Sequence, residues 1–350
     1  MHKFYHLSHI DLDGYGCQYL TTKSFDNISC YNANYGPEVT ARLEEILQDI
    51  NSEKELYQEA TILITDLNLT TKEANWLQSK ADELGANIVL LDHHGTGEST
   101  SNRFDWYYLD IQRCATKITY DWLKENYGFD TQNRYAKIVD AINAIDIWVE
   151  DSIYFEFGKV MIGMISGARE LNRVLFPNDD REYKFVLIDT AREVLDRYDL
   201  KDAPIALDDK LHFTKKEFFK RADNDTKDNL VAKYVSHLLT EQKSDMTITY
   251  KGYKGILGYN VGNTSLIGNA FLRQNPDYDF YMDVSSRGTF SLRSNNKVDV
   301  SQIAGEIGNG GGHPNASGGK IENYKDSFVY RDLKDMVQNY LDEKSKNSTT

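Results

Sequence analysis

Apolar and polar positions along residues 1–150 switch repeatedly between two periods. Phe4–Ile10 is short and largely apolar and predicts a strand; Tyr15–Phe25 follows as a helix, and Ile28–Ala33 as a second strand. In Glu38–Ile50, Val39, Leu43, Ile46 and Leu47 recur on one helical face. Ala60–Thr65 (ATILIT) and Ala86–Leu91 (ANIVLL) are continuous apolar runs, as expected of strands covered on both faces. Between them Lys72–Leu84 returns to the helical period, and Gly85 stops it. Thr116–Asn126 and Tyr135–Trp148 continue as helices. Strands alternating with helices predict βαβ units and a mostly parallel sheet.

The pattern changes after residue 150. Residues 151–245 read as a helical connector, with Ala191–Tyr198 and Leu230–Thr240 as its clearest helices and Asp208–Asp228 as charged, solvated surface. From Met246 strands return: MTITY alternates, Gly255–Tyr259 is short and apolar, and Phe280–Ser285 and Thr289–Arg293 flank a hairpin turn at Ser286-Arg287-Gly288. Val300–Ile307 predicts a helix with Asp299 at its start. GNGGGHPNASGG, immediately after it, has no period and reads as a loop. The expected fold class is therefore α/β. A mostly parallel sheet occupies 1–150, a helical connector 151–245, a smaller α/β domain with a mixed sheet 246–343, and a frayed polar tail 344–350.

Composition narrows the function. The 350 residues carry 40 basic and 54 acidic side chains, a net charge of −14. That charge argues against a protein that coats long nucleic acid through a basic surface. It leaves room for a short anionic substrate held by metal ions. A 40% hydrophobic fraction rules out wholesale disorder. A mean hydropathy of −0.57 and the lack of an apolar run near ~18–20 residues argue against a membrane-spanning helix. The opening MHKFYHLSHIDLDG lacks the apolar core of an export signal. Cys17, Cys30 and Cys114 form neither a disulfide framework nor a zinc knuckle, so a reducing cytoplasm is expected. Cys17 reads as a small buried residue.

The chemistry lies at the strand ends. Phe4–Ile10 leads into Asp11-Leu12-Asp13-Gly14, with His9 just before; ATILIT leads into Asp66; ANIVLL leads into Asp92-His93-His94-Gly95. A lone Asp behind a strand ordinarily caps a turn or helix, and a lone DxDG is often only a turn. Three such ends on one sheet are different, because ligands of open α/β sheets bind outside the carboxyl ends of the strands. Carboxylates with some imidazole suit Mn²⁺, with Mg²⁺ as the alternative, and the lack of thiolate argues against structural zinc. Several carboxylates in one pocket repel one another. Two divalent cations would offset that repulsion and suit displacement at phosphorus.

HIDLDG, Thr65-Asp66 and DHHG resemble the first three motifs of the DHH phosphoesterase superfamily, and GGGHPNASGG resembles the glycine-rich signature of its DHH-associated C-terminal domain. Within it, length and motif order look most like the oligoribonucleases (nano-RNases) of the NrnB-like branch. The resemblance implies that His9, Asp11 and Asp66 hold one metal, and Asp13, Asp66, His93 and a fourth-motif Asp the other. Asp92 would orient an imidazole, and His94 would face the phosphate. In many relatives the first His lies four residues before the first Asp, whereas His9 lies two before Asp11; His6 is the fallback. VDAINAIDIW offers Asp140 and Asp146, and its IDIW context favours Asp146.

In the second domain Gly310, Gly311 and Gly312 permit close backbone approach, and successive free amides could cradle an anion. His313 adds a donor to that anion. Arg287 is read as a phosphate or base contact, against the alternative of a surface residue at a hairpin tip. The resemblance implies a two-metal phosphodiesterase that removes nucleoside 5′-monophosphates from short single-stranded RNA, with His94 and His313 clamping the phosphate. A 3′-phosphoadenosine 5′-phosphate phosphatase, a linear or cyclic dinucleotide phosphodiesterase, and a non-catalytic nucleotide-binding module are the alternatives. No membrane partner and no stable complex with long nucleic acid are expected, and a homodimer is left open.

Overall fold

The computed structural model describes residues 1–222 and 224–347. The chain separates into two units: Met1–Ala168 with Arg181–Thr214, and Arg169–Asp180 with the described residues from Lys215 onward. The first unit contains β1 (His2–Ser8), α1 (Leu12–Ser24), β2 (Ile28–Asn32), α2 (Pro37–Ser52), β3 (Glu59–Thr65), α3 (Thr71–Leu84), β4 (Asn87–Asp92), α4 (Glu98–Ser101), β5 (Tyr107–Leu109), α5 (Ala115–Tyr127), α6 (Ala136–Asp146) and α7 (Phe155–Ser166). Next, α8 (Pro177–Arg197) and α9 (Ala203–Phe219) carry the chain across the unit boundaries.

The first unit's sheet has the order β2-β1-β3-β4-β5, and every pair is parallel. The apolar runs are buried on both faces, as a parallel sheet requires. Ile62 and Ile64 pack on one side with Leu43, Ile46 and Leu77 of α2 and α3. Leu63, between them in sequence, points the other way and packs with Phe4, Leu91 and Ile118. Local chemistry sets the helix ends. Thr70 and Glu73 form a reciprocal capping box at the start of α3, and Gly85 ends that helix at φ 70°.

The second unit contains α10 (Lys227–Glu241), α11 (Lys243–Met246), β6 (Thr247–Tyr250), β7 (Tyr253–Tyr259), α12 (Thr264–Gln274), β8 (Phe280–Val284), β9 (Thr289–Ser294), α13 (Val300–Gly308), β10 (Gly311–His313), β11 (Ala316–Lys320) and α14 (Tyr330–Asn347). Its sheet runs β10-β11-β9-β8-β7-β6 and is mixed, with β7 and β8 parallel. Residues 151–245 are largely helical and are shared between the two units.

The glycine segment departs from its reading as a loop. It is a tight hairpin in which Gly311, Gly312 and His313 pair with Gly318, Ser317 and Ala316. Glycine gives a hydrophobic pattern nothing to register, while backbone pairing needs no side chain. A Cβ on Gly310 would lie 2.0 Å from Gly318 O, and one on Gly312, at φ +149°, 2.5 Å from Ala316 O. Gly311–His313 is thus the edge strand of the second sheet. The polar tail is helical through Asn347, and residues 348–350 lie outside the described residues.

Candidate metal centre

The strand order 2-1-3-4-5 reverses direction between β1 and β3, which opens a crevice at their carboxyl ends. His9 follows β1 directly. Asp11 caps α1 and accepts from Gly14 N at 3.0 Å. Glycine is required at 14, because a Cβ there would lie 2.4 Å from His9 O. Asp13, in the first turn of α1, is buried, and its two carboxylate oxygens accept from Ala115 N and Thr116 N at 2.7 Å each. Those amides open α5, where the helix dipole also favours negative charge. Asp66 follows β3 at φ 55°, a left-handed conformation that Asp tolerates better than most residues. His93 and His94 follow β4, and Asp146 ends α6.

These seven side chains converge. His9 Nδ1 is 2.9 Å from Asp11 Oδ2 and 3.6 Å from Asp66 Oδ2. His93 Nε2 is 3.3 Å from Asp66 Oδ1, 3.5 Å from Asp146 Oδ2 and 3.7 Å from Asp13 Oδ2. Among the described residues three sets could hold a metal ion: His9–Asp11–Asp66, Asp13–His93–Asp146 and Asp66–His93–His94. Asp66 and His93 each belong to two of them. His94 Nδ1 lies 2.7 Å from Asp92 Oδ1, which makes His94 the imidazole that Asp92 orients; Tyr107 donates to the other carboxylate oxygen.

The electrostatics are those of a site built for cations. Burial, then the Asp13 and Asp11 carboxylates, push the Asp66 carboxyl well above its ordinary range. Burial, then Asp13 and Asp66, raise Asp146 to about 9. Burial opposes charge on His9, but the Asp11 and Asp66 carboxylates outweigh it and raise the imidazole to about 10. Burial likewise opposes charge on Asp11, yet His9 and the Gly14 amide lower it to about 2. Asp92 outweighs burial and raises His94. Asp66 Oδ2 and Asp146 Oδ2 are buried without a hydrogen-bond partner. Buried polar atoms are ordinarily satisfied. Orphaned carboxylate oxygens beside converging imidazoles fit divalent cations of the Mn²⁺ or Mg²⁺ type.

Several candidates fall outside the cluster. His6 is buried in β1, with both ring nitrogens hydrogen-bonded to Thr21 and Thr65 hydroxyls, and burial lowers it to about 3. It is a structural residue. Asp140 pairs with Lys117 at 2.9 Å. Cys17 is buried and accepts from the Thr119 hydroxyl at 3.4 Å. His313 is exposed on β10, and Arg287 sits in the exposed turn between β8 and β9.

Tyr35 was not legible in the sequence. Its hydroxyl is 2.8 Å from His94 Nε2, and its ring stands 4.6 Å from that of His9. Only the tertiary structure distinguishes it among 23 tyrosines. Tyr35→Phe is expected to lower kcat roughly 2- to 10-fold, the value of one hydrogen bond, and to leave bound metal unchanged. Parallel kinetics and metal analysis check this.

Comparison with known proteins agrees with the geometry. The DHHA1 domain model matches residues 272–343. The chain is 45% identical to a 3′,5′-cyclic-nucleotide phosphodiesterase of Helicobacter pylori (strain ATCC 700392 / 26695), over 97% of this chain and 98% of that protein. It is 27% identical to Oligoribonuclease NrnB of Bacillus subtilis (strain 168), over 91% of this chain and 73% of that one. It also superposes, at TM-score 0.91 and 43% identity, on the crystal structure of an uncharacterized protein from Helicobacter pylori G27, covering 98% of this chain and all of that one. An α/β sheet whose strand ends gather carboxylates and imidazoles, in a chain with such relatives, defines a phosphoesterase hydrolase. The chain belongs to the DHH phosphoesterase superfamily. Among the described residues no helix is long and apolar enough to cross a membrane.

Proposed function

We propose that this enzyme hydrolyses the P–O3′ bond of small nucleotide phosphodiesters, with 3′,5′-cyclic mononucleotides as its principal substrates. The observation that supports this substrate class is the 45% identity, over nearly the full length of both chains, to a 3′,5′-cyclic-nucleotide phosphodiesterase. The oxygen of water bonds to phosphorus, the P–O3′ bond breaks, O3′ takes up a proton, and a nucleoside 5′-monophosphate results. A terminal 3′,5′ linkage of short RNA contains the same bond, and the 27% identity to an oligoribonuclease favours such oligomers as the second reading.

His9, Asp11 and Asp66 would hold one divalent cation, and Asp13, Asp66, His93 and Asp146 the other, with Asp66 shared. Mixed carboxylate and imidazole donors favour Mn²⁺, with Mg²⁺ as substitute. When bound, such ions supply Lewis acidity toward phosphate oxygens and make water acidic enough to ionise near neutral pH. His94, held by Asp92, presents Nε2 to a non-bridging phosphate oxygen, beside the Tyr35 hydroxyl. The α5 amides hold both oxygens of the Asp13 carboxyl in place. His313, Arg287 and the glycines Gly310, Gly311 and Gly312 are assigned to substrate binding by their motif. A homodimer and a cytoplasmic location are part of the same reading.

The test is a product time course with Mn²⁺, Mg²⁺ or chelator on cyclic AMP, a short RNA, 3′-phosphoadenosine 5′-phosphate and a cyclic dinucleotide. Metal-dependent AMP from cyclic AMP at the highest kcat/KM is expected; preference for the RNA would favour the second reading. His313→Ala is expected to raise KM roughly tenfold (about 1.4 kcal/mol) with metal content unchanged, because His313 belongs to none of the candidate metal sets. Metal loss in that variant would contradict its assignment.

A further inference from the structure

The helix that delivers Asp146 ends in an unusual way. Ile147 closes α6, Val149 N donates back to Ala144 O at 2.7 Å, and Trp148 between them has φ 56°. This is the left-handed helix stop whose turning residue is ordinarily glycine or asparagine. A bulky aromatic residue there is a backbone outlier, and such strain persists mainly where function requires it.

The indole is not held there by burial. Trp148 is 61% exposed. Its position is nevertheless fixed, since Nε1–H donates to Glu150 Oε1 at 2.8 Å and the ring meets Phe155 edge-on, centroids 5.1 Å apart at 84°. Phe155 is itself buried. Trp148 therefore presents a clamped aromatic plane to solvent. It lies two residues, at most about 7 Å of backbone, from a carboxylate that contacts His93.

We propose that Trp148 is the nucleobase platform of this active site, stacking on the base of the nucleotide whose phosphodiester lies among Asp66, His93 and Asp146. This rests on the reading of the enzyme as a nucleotide phosphodiesterase and adds how the nucleoside end is recognised. A base of any kind offers a π face, so the contact accepts purines and pyrimidines alike. A ring already held by Glu150 and Phe155 loses little freedom on binding, which favours affinity.

The test is Mn²⁺-supported hydrolysis of cyclic AMP by wild type, Trp148→Gly and Trp148→Phe, with inhibition by AMP and by ribose 5-phosphate, thermal melting and light scattering. Stacking predicts that Trp148→Gly raises KM and the AMP Ki roughly 5- to 100-fold. It also predicts kcat and the ribose 5-phosphate Ki near wild type, and that Trp148→Phe keeps most of the affinity. Because glycine relaxes the left-handed turn, the melting temperature of Trp148→Gly should not fall. A KM within about twofold of wild type, or equal loss of AMP and ribose 5-phosphate binding, overturns the assignment. So does a change of oligomeric state at unchanged KM, which would mean that Trp148 and its exposed neighbour Ile153 seat a second copy of the chain. Normal wild-type turnover with an indifferent Trp148 sinks this proposal alone. A wild type that hydrolyses none of the nucleotides sinks the phosphodiesterase reading, and the platform with it.

Discussion

Asp66→Asn should lower turnover by at least about a thousandfold, some 4 kcal/mol of transition-state stabilisation, and should leave at most one divalent ion bound per chain. Asp66 belongs to two of the candidate metal sets and lies between His9 and His93. Asparagine is the informative replacement, because it keeps the size of the side chain and tolerates the φ of 55° that alanine would resist. Removing one carboxylate from a buried group of like charges should not destabilise the metal-free protein. The chelated variant should therefore melt at or above the chelated wild type. Retained turnover with two bound ions would contradict the shared-ligand assignment.

Metal and protons should compete strongly for this site. Asp146 is raised from 3.8 to about 9, His9 from 6.5 to about 10, and Asp66 is raised as well. Each folded value lies above its unfolded one. The stability each contributes to the metal-free protein is therefore full below the unfolded value and is lost as pH rises through the folded value. Asp11 works the other way: lowered from 3.8 to about 2, its contribution is lost only in strong acid. The metal-free protein should thus melt at progressively lower temperature between about pH 6 and 10. Cations must displace the bound protons. Manganese added near pH 7 should release protons, and its stabilisation should grow with pH, reaching about 2.7 kcal/mol per ion at a hundredfold its Kd. Calorimetry with chelator or Mn²⁺ from pH 6 to 9 measures this. A metal-induced shift independent of pH would contradict it.

The apolar runs made the first unit's sheet legible, and with it the strand ends where the candidate ligands emerge. ATILIT and ANIVLL could only be buried strands, and residues just past the end of a buried parallel strand lie at the ligand-binding edge. Asp146 was separable from Asp140 only by motif context; the structure adds that Asp140 faces Lys117 at the surface and Asp146 faces His93. The glycine hairpin escaped because its pairing is made by backbone alone. β5, three residues long, is too short for any period to register. Tyr35 and Trp148 escaped for another reason: loop partners and positive φ values are set by tertiary structure, and a tryptophan ending an apolar helix looks like one more core residue.

Anomalous scattering from crystals soaked in manganese is the decisive measurement for the metal centre. Two peaks are expected, one among His9, Asp11 and Asp66 and one among Asp13, His93 and Asp146, with Asp66 touching both. Well-ordered crystals that keep these side chains in place but show no manganese among them would refute the two-metal site.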